Sequence, residues 1–191
     1  MKTAVRFHRV WGSADPLSNM FRNLASAYLD EIGADSLEEG SVEDVLSYQD
    51  EPERWLMLAI GAGRVIGFVH GKIDHERRPG MGYLIEFYVV PEYRNHHVGH
   101  IMSEAMCAIL RRAGAAWVWL SSVVKAEHFW EKQGFIDSGL VEWGEKVMLR
   151  PLAKERSRAT SLELARAAEG VRSVIPPAAI RRPRHVKTRS L

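Results

Sequence analysis

Hydrophobic positions change their spacing along the chain, and the spacing predicts which segments are helices and which are strands. Apolar residues recur at helical spacing after Asp15 and again after Val98, which predicts two amphipathic helices. Short apolar runs bounded by glycine, proline and charged residues indicate strands. The predicted strands are residues 4–9, 55–60, 65–73, 83–90, 116–122, 135–137 and 147–149, and two shorter helices cover residues 42–47 and 126–133.

The order of these elements predicts the fold class. The apolar runs at 55–60 and 65–73 flank a short turn that contains glycine, which is typical of an antiparallel hairpin. Helices enter early and late around a body that consists mostly of strands. We therefore expect an α/β layer fold with a mixed central sheet.

Composition narrows the class of protein. The chain has 191 residues, of which 46% are hydrophobic and 26% charged, as in an ordinary globular protein. Cys107 is the single cysteine, which excludes an intramolecular disulfide and a cysteine-rich metal site, and its apolar helical context predicts burial. The chain lacks a stretch like a signal peptide or a membrane span, so we expect a soluble, cytoplasmic protein without a membrane partner.

The net charge of +2 hides an asymmetry between the two ends of the chain. Residues 152–191 carry ten Lys and Arg against three Glu, or +7, which leaves −5 on residues 1–151. This predicts a folded domain over 1–151 and a basic, largely disordered extension over 152–191 with one short helix. Residues 30–53 hold ten acidic side chains and no Lys or Arg. They form either a solvated face or, beside a substrate groove, a field that favours a cationic substrate.

The stretch YVVPEYRNHHVGHIM, residues 88–102, joins an apolar strand to an apolar helix through a polar loop. Such a junction directs backbone N–H groups and the positive end of a helix at whatever lies in front of it, which suits an anion. The loop resembles the acetyl-CoA pyrophosphate loop of the GNAT superfamily of N-acetyltransferases, with Arg94 and Gly99 at matching positions and His97 where the first glycine is expected. A second stretch, FWEKQGF at 129–135, resembles the late motif of the same family.

The resemblance implies an acetyl-CoA-dependent N-acetyltransferase with a mostly antiparallel sheet that splays at the cofactor-binding strand. In the family, the backbone of that strand hydrogen-bonds the pantetheine arm, and the loop amides bind the pyrophosphate without a metal. These roles fall on Phe87, Tyr88 and Val89 for the arm and on Arg94, Asn95, His96, His97, Val98, Gly99 and His100 for the pyrophosphate. Histidine tolerates a left-handed backbone better than most residues, so we expect His97 to weaken or alter the binding of CoA without abolishing it.

Acyl transfer to a primary amine requires a neutral amine, so a general base is expected. Glu86 is the candidate, because a carboxylate in an apolar strand is a stronger base than one in water and lies where the family often has its base. An ion-paired or edge-exposed glutamate is the alternative. The N–H of Val89 is a candidate oxyanion donor. Trp130 stands where the family has an acidic tyrosine, so Tyr88 or solvent protonates the thiolate, or activity is weak or absent.

Several alternatives stay open. The protein could be a non-catalytic acyl-CoA-binding module, or it could bind nucleic acid or the ribosome through Arg181, Arg182, Arg184 and Arg189. His96, His100 and Glu104 have helical spacing compatible with a metal, but a helix N-terminus repels cations, and we expect none. The acceptor is expected to be a small-molecule or protein amine, such as a polyamine, an amino sugar or a basic segment. Nothing in the sequence specifies an oligomeric state.

Overall fold

Alternating strands and helices account for most of residues 4–152, the part of the chain that this computed structural model describes. The strands are β1 (Val5–Val10), β2 (Arg54–Gly61), β3 (Arg64–Asp74), β4 (Met81–Val89), β5 (Trp117–Ser122), β6 (Ile136–Glu142) and β7 (Glu145–Pro151). The helices are α1 (Ser18–Ile32), α2 (Val42–Ser47), α3 (Val98–Arg112) and α4 (Val124–Lys132). The basic extension and the arginines of the nucleic-acid alternative lie outside the described residues.

The strands form one sheet in the order β1-β2-β3-β4-β5-β7-β6. The pairs β1–β2, β5–β7 and β6–β7 are antiparallel, whereas β4 and β5 are parallel. The predicted mixed α/β fold with a mostly antiparallel sheet and flanking helices is confirmed. Only Gly82–Val118 and Tyr83–Trp119 pair in the β4–β5 ladder, although β4 continues to Val89. The ladder therefore ends well before β4 does, as expected for a splayed sheet.

The hairpin of β6 and β7 is longer than the sequence predicted. The polar residues and Gly139 of β6 interrupt its apolar pattern, because β6 lies at the edge of the sheet and is largely exposed. The turn uses left-handed backbone at Trp143 (φ 56°) and Gly144 (φ 81°), the geometry of a tight two-residue hairpin. Edge strands need not alternate cleanly between apolar and polar residues, which is why the short apolar run at 135–137 underestimated β6, and the run at 147–149 marks only the buried centre of β7.

The described residues divide into two compact units. One unit comprises residues 4–71 and Ile85–Met106, and the other comprises Lys72–Leu84 and residues 107–152. The first unit contains an aromatic cluster in which the ring of Phe68 on β3 contacts Phe21 and Tyr28 of α1, with centroids 5.2 and 5.8 Å apart. Tyr88 of β4 joins the same cluster, 5.9 Å from Phe68. This cluster fixes one face of the carboxyl-terminal half of β4 against α1.

Asp74 organises the second unit. Its buried carboxylate accepts hydrogen bonds from the backbone N–H groups of residues 76–78 and from the indole of Trp119. Trp119 in turn stacks face to face on Tyr83 with ring centroids 3.7 Å apart. The loop that leads into β4 is therefore held by the carboxylate of Asp74, and the carboxylate of Glu142 on β6 binds the side chains of Arg77 and Arg78 from the same loop.

None of the helices within residues 4–152 has the length and apolar character needed to cross a membrane.

Candidate active site

The end of β4 has the backbone geometry of a strand that can pair with an extended ligand. Val90 donates its N–H to the carbonyl of Ile66 on β3, at 3.0 Å. Because successive peptide groups of a strand point in opposite directions, the N–H groups of Val89 and Phe87 point away from β3. They lie beyond Tyr83, where the β4–β5 ladder ends. These are the backbone groups that the sequence assigned to the pantetheine arm.

Gly67 of β3 permits the close approach of β4 and α3 in this region. A Cβ atom at this position would lie 2.4 Å from the carbonyl oxygen of Tyr88 and 3.1 Å from Sδ of Met102 on α3. A real side chain cannot tolerate the first distance without a backbone shift. Glycine is thus required for β3 to lie this close to the backbone of β4 and to the side chain of Met102 on α3.

The loop between β4 and α3 contains two non-glycine residues with left-handed backbone. Asn95 and His97 both have φ near 62°. The carbonyl of His97 accepts the hydrogen bond of Ile101 at 3.0 Å, so His97 directly precedes the first turn of α3. The first N–H groups of a helix have no acceptor within it, and the dipole makes this end positive. The position where the family has a glycine therefore adopts the backbone region that glycine favours.

The side chain of Arg94 holds the start of this loop in place. Its Nε donates to the carbonyl of Val89 at 2.9 Å, and its two Nη atoms bind both carboxylate oxygens of Glu31 on α1, at 2.9 and 2.6 Å. Hydrogen bonding to Glu31 raises the pKa of Arg94 above its ordinary value, against the opposing effect of burial. Arg94 thus fixes the peptide group after Val89, while the amides that follow it form the candidate anion seat.

Replacing His97 with glycine should stabilise the protein, whereas the same change at the adjacent His96 should destabilise it. A left-handed non-glycine residue costs about 1 kcal/mol relative to glycine, and glycine at an ordinary position costs about 0.5–1 kcal/mol. His96 is not among the positive-φ residues, and its Nδ1 lies 2.6 Å from the carbonyl of Arg94. Urea unfolding of both variants measures the difference. Shifts of the same sign in the two variants would contradict the described loop conformation.

Glu86 is buried, with 2% of its surface exposed, in an interior strand. The edge-exposed interpretation of this residue is therefore wrong. The N–H of Glu38, in the segment between α1 and α2, donates to Oε1 of Glu86 at 2.6 Å. A backbone donor at this distance favours the ionised carboxylate, the form that accepts a proton.

Tyr88 is also buried, and its ring lies 5.6 Å from that of Tyr28. Burial raises the pKa of Tyr88 above its ordinary value, and the nearby carboxylate of Glu31 adds to the effect. The phenol is therefore protonated at neutral pH and retains a proton to donate. Glu86 and Tyr88 lie two residues apart on β4, so their side chains share one face of the sheet.

The family model for the acetyltransferase (GNAT) family matches residues 19–135, more than half of the chain. The chain belongs to the GNAT family. The resemblance carried by the two motifs is thereby confirmed, and the protein is an acyltransferase. No curated protein matches the chain.

Solved structures share the GNAT fold with this chain over most of their length. The PaiA N-acetyltransferase from Thermoplasma acidophilum, in complex with coenzyme A, is 16% identical over 78% of this chain and 99% of its own, with a TM-score of 0.61. An aminoglycoside 6′-N-acetyltransferase complexed with coenzyme A is 14% identical over 80% and 99%, with a TM-score of 0.61. An aminoglycoside 6′-acetyltransferase type Ii is 16% identical over 79% and 99%, with a TM-score of 0.63. At these identities the likeness shows the fold alone.

Trp130, which the sequence resemblance placed at the position of the family's acid, is a core residue. It is 5% exposed, and its ring packs edge to face against Phe135 at 5.3 Å and against Phe129 at 4.8 Å. An indole is a donor only and does not give up its proton at neutral pH. Cys107 is likewise buried, as predicted, and Nη1 of Arg150 lies 3.6 Å from its sulfur.

Part of the acidic stretch at 30–53 is ion-paired. Arginines of the same compact unit neutralise part of it: Arg94 binds Glu31, Arg22 binds Glu43, and Arg54 binds Glu39 and Glu51. Asp44 forms a capping box with Ser41 at the start of α2. At least four of the ten carboxylates of this segment are therefore ion-paired, so it is not a uniformly solvated face.

Sequence reasoning missed the residue that binds Glu86 and two buried residues of the same compact unit. Glu38 reaches Glu86 through a backbone N–H, which no side-chain pattern reports. Arg54 and His70 are charged or polar residues inside apolar strands, 6% and 0% exposed. A polar residue within an apolar strand was the signal that the sequence offered for these two positions, and the same signal had identified Glu86. Within residues 4–152, no three His, Cys, Asp or Glu side chains are grouped as metal ligands.

Proposed function

We propose that this GNAT protein transfers the acetyl group of acetyl-CoA directly to a primary amine, within a catalytic domain that covers residues 1–151. The observation that carries the proposal is the burial of Glu86 on the strand whose far end leads into the left-handed loop and α3. A proton acceptor and an anion seat thus lie on one continuous stretch of chain, and both belong to the same compact unit.

The residues from Asn95 to His100 hold the donor through backbone N–H groups directed at its pyrophosphate, and Arg94, whose own N–H is bonded to the carbonyl of Pro91, supports them through its side chain. The left-handed residues Asn95 and His97 and the positive end of α3 support this assignment. The N–H groups of Phe87 and Val89 pair with the pantetheine arm, because they point away from β3, whereas the backbone groups of Tyr88, also predicted for this role, point toward β3. When bound, acetyl-CoA supplies the thioester that the amine attacks.

Glu86 accepts the proton that the amine loses as its nitrogen bonds to the carbonyl carbon. The N–H of Val89 stabilises the negative charge that develops on the carbonyl oxygen, and Arg94 holds the neighbouring peptide group in place. The carbon–sulfur bond then breaks, and the departing thiolate takes a proton from Tyr88 or from solvent. No covalent intermediate on the protein is needed, in keeping with the burial of Cys107.

The proposed acceptor is an amino sugar, a polyamine or a basic protein segment. Two of the solved structures that share the fold are named for aminoglycoside acetylation, which makes an amino sugar the first class to try. A non-catalytic acyl-CoA-binding module is the second candidate function, favoured by the buried Trp130 where the family has its acid.

Incubation with acetyl-CoA and one amine at a time should separate the two candidates. Kanamycin, spermidine and a lysine-rich peptide represent the three acceptor classes, and a thiol reagent follows free CoA. Cys107 is the single protein thiol, so it contributes a small, constant background. We expect one class to release thiol well above the amine-free rate and to gain an acetyl group by mass spectrometry. CoA binding without release from any amine would favour the module.

A further inference from the structure

A network of charged and polar residues around the buried Arg54 lies in the same compact unit as the candidate base. Arg54 is 6% exposed, and its guanidinium donates to the carboxylate of Glu39. The guanidinium also donates to the carboxylate of Glu51, at 2.8 and 2.9 Å. Its Nη1 also lies 3.3 Å from Nε2 of His70. Burying this many charges is costly unless each is paired, and removing a partner is strongly destabilising. A network of this kind calls for an explanation beyond stability.

His70 extends the network from Arg54 to β3. β3, which carries His70, is hydrogen-bonded in the sheet to β4, which carries Glu86. The network therefore extends to the strand adjacent to the candidate base.

The turn at residues 37–40 connects this network to Glu86. Leu37 is 2% exposed in the hydrophobic core of the unit and pairs with Gly40 as an isolated bridge. The next residue, Glu38, donates its N–H to Glu86. The one after that, Glu39, places its carboxylate on Arg54, with 6% of the side chain exposed. Two consecutive residues thus attach one turn to the base and to the buried arginine.

We propose that Glu39 and Arg54 are positioning residues for Glu86: their buried ion pair holds the turn so that the N–H of Glu38 keeps the carboxylate of Glu86 oriented for the acceptor amine. The proposal rests on the proposed function, because it assigns a purpose to a contact with the base. Glu39 and Arg54 touch neither donor nor acceptor in this account, and they act through Glu38.

Glu39→Ala tests the proposal, with Glu43→Ala as the matched control. Arg54 keeps Glu51 as a partner when Glu39 is removed, so the arginine is not left without a counter-ion. Glu43 also binds an arginine through both oxygens, but its side chain is 60% exposed and its partner is Arg22. The hydrogen-exchange rate of the Glu38 amide, followed by NMR, measures its hydrogen bond to Glu86 and needs no acceptor amine. The turnover rate with the best amine of the panel measures the effect of that hydrogen bond on catalysis.

In Glu39→Ala we expect the Glu38 amide to exchange about tenfold faster or more, as for loss of a hydrogen bond to a charged group. We expect kcat/KM for the amine to fall about tenfold with CoA affinity unchanged. The Val45 amide, bonded to Ser41 in the same region, should keep its rate. Glu39→Gln, which retains an oxygen acceptor, should restore both properties, and Glu43→Ala should change neither.

Unchanged exchange of the Glu38 amide in Glu39→Ala would overturn the proposal, and so would faster exchange with full kcat/KM. A second variant distinguishes failure of the proposed base from failure of the positioning role. If Glu86 is not the base, Glu86→Gln keeps full activity. If the positioning role alone fails, Glu86→Gln is inactive and Glu39→Ala is fully active.

Discussion

We expect the Glu86→Gln variant to lose most of its acetyl transfer, with kcat/KM for the amine reduced by about 10²–10⁴-fold, as for the loss of a general base. Glutamine matches the size of glutamate, and its amide oxygen can still accept the hydrogen bond from the N–H of Glu38. The fold and the turn at residues 37–40 should therefore keep their structure, while the side chain at position 86 can no longer accept a proton. Steady-state release of CoA at neutral pH measures the effect.

The control for this variant is Glu43→Gln, which makes the same chemical change at an exposed ion pair on α2. CoA affinity and the urea midpoint should be unchanged in both variants, because neither residue belongs to the anion seat or to the hydrophobic core. Activity of Glu86→Gln within about threefold of the parent would remove the general-base assignment, since base catalysis contributes far more than that.

Elements with a strong periodic pattern could be predicted from the sequence. The apolar stripe after Val98 predicted α3, and the turn signals at 61–64 predicted the hairpin of β2 and β3. α1 was predicted as well, although its start was not. The helical spacing begins after Asp15, whereas α1 begins at Ser18 and the carboxylate of Asp15 accepts the N–H of Leu17. Caps depend on local loop geometry, which periodicity does not report.

The backbone of the candidate site was more predictable than its side-chain contacts. A glycine position in a phosphate loop demands left-handed backbone or close approach, so His97 pointed to an unusual φ before the structure did. Arg94, in contrast, meets Glu31 across 63 residues, and Glu86 meets Glu38 across 48. Such partners are chosen by the packing of α1 and its following turn on the sheet. A single sequence contains no pattern for that packing.

Replacing Gly99 with tryptophan should weaken CoA binding by about 100-fold or more, the effect of losing roughly two hydrogen bonds to charged oxygens. Gly99 is the second residue of α3, within the turn whose N–H groups lack acceptors in the helix. A large side chain at this position obstructs the approach of a pyrophosphate to those groups. Arg111→Trp is the control, because Arg111 is exposed in the last turn of the same helix.

Calorimetric titration of CoA into the parent protein, Gly99→Trp and Arg111→Trp tests most directly whether the amides at the start of α3 bind the pyrophosphate. The account predicts saturable heat for the parent and for Arg111→Trp with equal affinity, and binding about 100-fold weaker for Gly99→Trp. Absence of heat with the parent, or equal affinity in Gly99→Trp, would contradict it.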